Sequence, residues 1–133
     1  MIKIDAMFPV MVTNNLDTVK QFYERVFDFN AVFYEPDFYL HLISPGSGVQ
    51  LGFLLPNHAS QPEFLHSVMS KNGFILSLEV KDATAAFTEA QRMNLNIEMH
   101  LKQEEWGQLH FILTDPAGFR VDIVQHIAAS DAH

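Results

Sequence analysis

The sequence predicts an α+β fold built from two βαβββ modules, with their mixed sheets curled around a cavity. Three observations predict it. Apolar residues alternate with period two in short runs, each set of runs is interrupted by one amphipathic helical stretch, and the same order of elements occurs twice. The modules cover about residues 5–55 and 73–127 of a single 133-residue domain, joined by a short helical linker at 56–72.

Each element has a local reason. The apolar run from Met7 to Thr13 reads as a buried strand, and the Asn14-Asn15 pair that ends it reads as a helix cap. Leu16, Val19, Phe22, Tyr23 and Val26 then recur at helical spacing, with Asp17, Lys20, Glu24 and Arg25 on the other side. Strands follow at Ala31–Glu35, Phe38–Ser44 and Val49–Leu55, the last two joined by the turn SPGSG. In the linker, Ser60-Gln61-Pro62-Glu63 has the spacing of a capping box. The pattern restarts with a strand at Phe74–Val80. Asp82 caps a helix through Ala86, Phe87, Ala90 and Met93, and strands follow at Ile97–Leu101, Leu109–Thr114 and Phe119–Gln125. The turns SPGSG and TDPAG occupy matching places in the two halves.

Composition narrows the function. A 48% hydrophobic, 12% aromatic chain can bury one core, so disorder is excluded. The net charge of -8 and the lack of Lys/Arg clusters exclude nucleic acid as a partner. With no cysteine there is neither a disulfide framework nor a thiolate nucleophile. The N-terminus lacks the apolar core of a signal peptide and no stretch is long enough to span a membrane, so a cytoplasmic protein is expected.

Two segments, NNLDTVKQFYERVFDF and WGQLHFILTDPAGFRVDIVQ, carry a resemblance to the vicinal oxygen chelate superfamily of glyoxalase, bleomycin-resistance and extradiol dioxygenase proteins. The second is the more specific, an Asp-Pro-x-Gly hairpin placed after a Trp-Gly pair. The resemblance covers nearly the whole chain and implies a glyoxalase/bleomycin-resistance-like fold, often completed within a homodimer. It also implies metal-ligand points on the first and last strand of each module, which fall here on Phe8, Gly52, Ile75 and Asp122. Only Asp122 offers a donor, and a divalent cation generally takes three or more protein ligands, so no metal and no other cofactor is expected. Gln50 lies two residues from Gly52 on the same face and would be recruited by a two-residue shift of that alignment.

In the last hairpin, Leu109, Phe111 and Leu113 share a helix-facing surface with Phe119, Val121 and Ile123, which sets Leu113 opposite Phe119 and His110 opposite Asp122. The cavity face then carries Gln108, His110, Ile112, Arg120, Asp122 and Val124. The His110, Asp122 and Arg120 group reads either as a satisfied ion-pair patch or as acid-base machinery. Trp106 is either a wall that stacks on a flat ligand or a cover for the sheet edge. Ser77 and Glu79 sit beside Ile75 on the cavity face, Glu79 as a solvated strand-end charge or a catalytic candidate. His41, matched to Phe111, is expected to point toward a helix. His100 is either an outer-strand residue or at the cavity mouth, and His58, His66 and His133 are expected in solvent. Phe29, Phe33, Tyr34 and Phe38 give the first half an aromatic side that reads as core packing.

Two functions fit. One is a metal-independent small-molecule binding protein that sequesters an aromatic or cationic ligand, using Phe8, Gln50, Gly52, Ile75, Trp106, Gln108, His110, Arg120 and Asp122. The alternative is a glyoxalase-like lyase or isomerase, or a dioxygenase relative, with His110, Asp122 and Glu79 around a divalent cation or acting as acid and base. The losses at the ligand points favour the first.

Overall fold

The computed structural model describes residues 1–128, so the expectation for His133 lies outside the described residues. The chain forms two compact units that divide between Ser70 and Lys71. Each is a βαβββ module in which the first strand lies parallel to the fourth.

The first unit contains β1 (Val10–Val12), α1 (Leu16–Phe27), β2 (Asn30–Glu35), β3 (Tyr39–Ile43) and β4 (Gln50–Leu54), with sheet order β1-β4-β3-β2. Helix α1 buries Leu16, Val19, Phe22 and Tyr23 on one stripe, the helical spacing of the sequence made physical. It stops at Asp28, whose left-handed backbone (φ 58°) lets its N–H reach the last carbonyls of the helix. Tyr23 meets Phe27, Phe29 and Phe53 at ring distances of 5.6–5.8 Å, which seats the helix on the sheet. A fully buried aromatic of this kind stabilises the fold by roughly 1.5–3 kcal/mol. Phe29 is therefore core, as expected, whereas Phe33 stands half exposed.

The second unit contains β5 (Leu76–Glu79), α2 (Ala83–Arg92), β6 (Ile97–Glu104), β7 (Gln108–Thr114) and β8 (Arg120–His126), in the order β5-β8-β7-β6. Asp82 caps α2 by accepting from the Ala85 N–H at 3.0 Å. Gln125 Oε1 accepts from the Ala83 N–H at 2.9 Å, which ties the last strand to the same helix start. Phe87 of α2 packs edge-on against Phe111 at 5.2 Å and against His100 at 5.4 Å. His100 thus lies on the helix side of β6. Phe111, Leu113, Phe119, Val121 and Ile123 are all buried, the helix-facing set that the alternation predicts.

Three expectations need correction. The linker holds only a single 3₁₀ turn, Glu63–Leu65, following Pro62, and Ser60 bonds His58 instead of capping it. In the last hairpin His110 pairs with Val124 and Leu113 with Val121, two residues from the expected register. The Asp115 N–H reaches the Phe119 carbonyl, so residues 116–118 form the loop, with Gly118 at φ 91°. This is the three-residue hairpin with a left-handed glycine, not a connection of the five residues Thr114 to Gly118. A two-residue slip keeps every side chain on its own face, which is why the burial pattern agreed.

The third correction concerns His41. In the first unit Ile43 pairs with Gln50 and the Ser44 N–H reaches Val49, leaving residues 45–48 as the loop. That loop is one residue longer than its counterpart, so His41 matches Ile112 rather than Phe111 and faces away from the helix. Its neighbours Leu40 and Leu42 take the buried side. No helix among the described residues is long and apolar enough to cross a membrane.

Candidate functional site

The sheet face turned away from α1 forms one wall of a pocket of about 410 Å³ within the first unit. Phe8 and Val10 bring it the start of β1, Tyr39 and His41 come from β3, and Leu54 from the end of β4. Phe38 precedes β3, while Gln61 and Leu65 line the pocket from the linker. The linker is held by His66, whose Nε2 donates to the carbonyls of His58 and Gln61 at 3.1 and 2.8 Å, and by His58, whose ring lies 4.3 Å from that of Phe38. These histidines fasten the linker rather than point into solvent. Among the described residues, no carboxylate, lysine or arginine lines the pocket.

One polar chain crosses this wall. Tyr39 Oη lies 2.7 Å from His41 Nδ1, and His41 Nε2 lies 2.7 Å from Gln50 Oε1. Phe8 sets its ring edge-on to the His41 imidazole at 4.6 Å. Burial raises the Tyr39 phenol above its ordinary pKa, which keeps it neutral. Gly52 makes room for this arrangement, because a Cβ there would overlap Tyr39 Oη and stand 3.0 Å from Cζ.

In the second unit the corresponding positions are His110 and Asp122, which lie diagonally across β7 and β8. Both are 8% exposed, and His110 Nδ1 lies 2.7 Å from Asp122 Oδ1. The His110 Nε2 lies 2.9 Å from Glu104 Oε2 on β6, and Ser77 Oγ of β5 donates to Asp122 Oδ2 at 3.4 Å. Burial lowers the His110 pKa, but the hydrogen bonds from Glu104 and Asp122 and their charges outweigh it, and the net shift is upward. The hydrogen bond with His110 is the main cause that holds Glu104 below its ordinary value. His110 thus stands between two carboxylates, one within hydrogen-bond distance of each ring nitrogen. The expected side-by-side contact with Asp122 is made, though through a diagonal neighbour rather than a direct partner.

These donors do not fit a metal ion. Phe8 and Ile75 present carbon and Gly52 presents nothing. Both ring nitrogens of His110 are already engaged by carboxylates. Among the described residues no group of three or more His, Asp or Glu could hold an ion.

The other sequence-selected residues lie apart. Ile75, just before β5, is 43% exposed. Trp106 is 67% exposed in the β6–β7 turn, where its Nε1–H donates to Gln108 Oε1 at 3.1 Å. Arg120 pairs with Glu98 of β6 and donates to the Lys71 carbonyl. Glu79 is exposed and pairs with His126 Nε2 at 3.0 Å. Sequence reasoning missed Tyr39, Glu104, Gln61 and His126. Tyr39 had a usable signal, since it alternates on β3 with buried Leu40; Glu104 had none, its neighbours Gln103 and Glu105 both being exposed. Gln61, in an irregular linker, had none.

The family model for the Glyoxalase/Bleomycin resistance protein/Dioxygenase superfamily matches residues 4–123. No match was found among the curated proteins. Among solved structures, the chain is similar to the lactoylglutathione lyase of Agrobacterium tumefaciens (TM-score 0.75, 19% identity, covering 91% of this chain and 92% of that one). It is similar also to TioX from Micromonospora sp. ML1 (TM-score 0.72, 16% identity, 92% and 99%) and to a bleomycin-binding protein complexed with bleomycin (TM-score 0.66, 20% identity, 92% and 99%).

Proposed function

From the premise that the chain belongs to the Glyoxalase/Bleomycin resistance protein/Dioxygenase superfamily, we propose that it is a metal-independent binding protein that holds a small uncharged aromatic molecule in the pocket of its first unit. The observation that carries this reading is the pocket itself. Its volume of about 410 Å³ falls in the range of small-molecule sites, and its wall is aromatic and aliphatic with a few placed polar groups. Phe8, Phe38 and Tyr39 offer ring faces and edges for stacking. A cationic ligand is less well served, because among the described residues no carboxylate lines the pocket to pair with it. The fold-level likeness to a bleomycin-binding protein agrees with a role in binding.

The same reading includes a homodimer. Edge strand β2 exposes Val32 (59%) and Phe33 (49%), apolar surface that a second copy would cover. A sedimentation mass of one chain at micromolar concentration would overturn the dimer.

Calorimetric titration with indole and, separately, with Ni²⁺ tests the binding reading. Indole should bind at one saturable site with or without a chelator, and Ni²⁺ should give no stoichiometric heat. Tight Ni²⁺ binding lost on Asp122→Ala, or no binding by aromatic probes, would refute it.

A further inference from the structure

We infer that the pocket selects neutral aromatic molecules that present an N–H or O–H, because the Gln50–His41–Tyr39 chain leaves Tyr39 able only to accept. This rests on the binding reading above and adds the polarity of the ligand to it. The argument follows the protons. Gln50 Oε1 is a carbonyl oxygen and can only accept, so His41 Nε2, 2.7 Å away, carries a hydrogen and donates it. A neutral imidazole then has its lone pair on Nδ1. Tyr39 Oη, 2.7 Å from that nitrogen, must donate its hydrogen there. The phenol's hydrogen is thereby engaged inside the wall. What remains is the oxygen lone pairs.

The fold holds this polarity in place. Tyr39 and His41 are alternate residues of β3, and His41 pairs with Gly52 while Gln50 is two residues before it on β4, so all four share one face. Phe8, edge-on to the imidazole at 4.6 Å, restricts its rotation. Gly52 leaves the space in which the phenol end sits. Gln61, the amide on the linker side, gives one of its two N–H groups to Ser60 Oγ at 3.3 Å. A ligand with only acceptors would set its oxygen against the Tyr39 lone pairs and lose the hydrogen bond it had with water. A site built to pair with a donor discriminates against analogues lacking it.

Indole and benzofuran differ by an N–H in place of an ether oxygen and have nearly the same shape. Titration of the full chain should show indole bound about tenfold tighter than benzofuran, the worth of one net hydrogen bond. Tyr39→Phe, checked for folding by circular dichroism, should bring the two affinities to within about twofold by weakening indole alone. The ¹⁵N NMR signals of His41 in the ligand-free chain should show Nε2 protonated and Nδ1 bare. Equal affinities in the wild-type chain would overturn the selectivity and leave the binding reading standing. Failure of both probes to bind would overturn both. A protonated Nδ1 would reverse the chain of donors and overturn the inference without any ligand being present.

Discussion

Gly52→Ala tests the geometry of the pocket wall directly. Its Cβ would overlap Tyr39 Oη and stand 3.0 Å from Tyr39 Cζ and 3.1 Å from Val10 Cγ2. Neither neighbour yields freely, since the phenol is held by His41 and Val10 belongs to β1, which pairs with Gly52 itself. Repacking around an inserted methyl costs about 1–3 kcal/mol, and pushing Oη off His41 forfeits about 0.5–1.5 kcal/mol. Replacing a strand glycine returns roughly 0.5–1 kcal/mol by restricting the unfolded chain. The net expectation is a loss of about 0.5–4 kcal/mol in urea unfolding followed by far-UV circular dichroism. In a Tyr39→Phe background the overlapping oxygen is absent and the hydrogen bond already gone, so the same alanine should be nearly neutral, within about 1 kcal/mol. The glycine contribution is common to both backgrounds and cancels in the cycle. Additivity of the two substitutions within about 0.5 kcal/mol would refute the claim that residue 52 is glycine to seat the phenol.

His110→Asn should destabilise the second unit by about 1–3 kcal/mol, because it leaves buried Asp122 with only the long contact from Ser77; an unchanged urea midpoint would contradict this. Stability should depend on pH in a defined way. The raised His110 pKa makes a contribution fully present below the ordinary histidine value of 6.5 and lost as pH rises through the raised folded value. The lowered Glu104 pKa makes one present above the ordinary value of 4.5 and lost as pH falls through the depressed folded value. The cluster's contribution is therefore greatest between those ordinary values, and His110→Asn should flatten the alkaline side of the profile. Asp82→Ala should cost about 1 kcal/mol through the lost cap of α2, read as a shift in melting temperature. Trp106→Ala should leave indole affinity unchanged, since Trp106 does not line the pocket; a large loss would move the site to the second hairpin.

The fold was legible because its signals are redundant. The stripe of Leu16, Val19, Phe22 and Tyr23, the Asp82 cap and the alternation of Phe111, Leu113, Val121 and Ile123 each point to the same layers. Register was legible only modulo two, since alternation specifies faces and not partners. The loop at 116–118 is two residues shorter than the pattern implied, and alternation is blind to that. His41 was misplaced for a related reason, because equating the turns SPGSG and TDPAG hid a one-residue difference in loop length, and a single residue reverses a strand's faces. The rest of the pocket was illegible for another cause. Phe8, Gln50 and Gly52 were reached through the resemblance, but Phe38 and Leu65 look like core to any composition rule, and only the path of the linker, which has no period, brings them to the same opening. Glu104 was missed because β6 runs to residue 104, beyond the expected end at Leu101.

Tyr39–Gly52 and His110–Asp122 stand at equivalent positions of the two units and fill the same diagonal in different ways. In one unit the diagonal joins a large phenol to a residue with no side chain, and in the other an imidazole to a carboxylate. Neither partner can be exchanged alone: an acid at 52 would collide with the phenol, and a glycine at 122 would strand the imidazole. Among relatives, the identities at the positions of 39 and 52 should vary jointly, as should those of 110 and 122. A position-by-position comparison that scores Gly52 only as a missing ligand overlooks the phenol on the neighbouring strand that takes up the space.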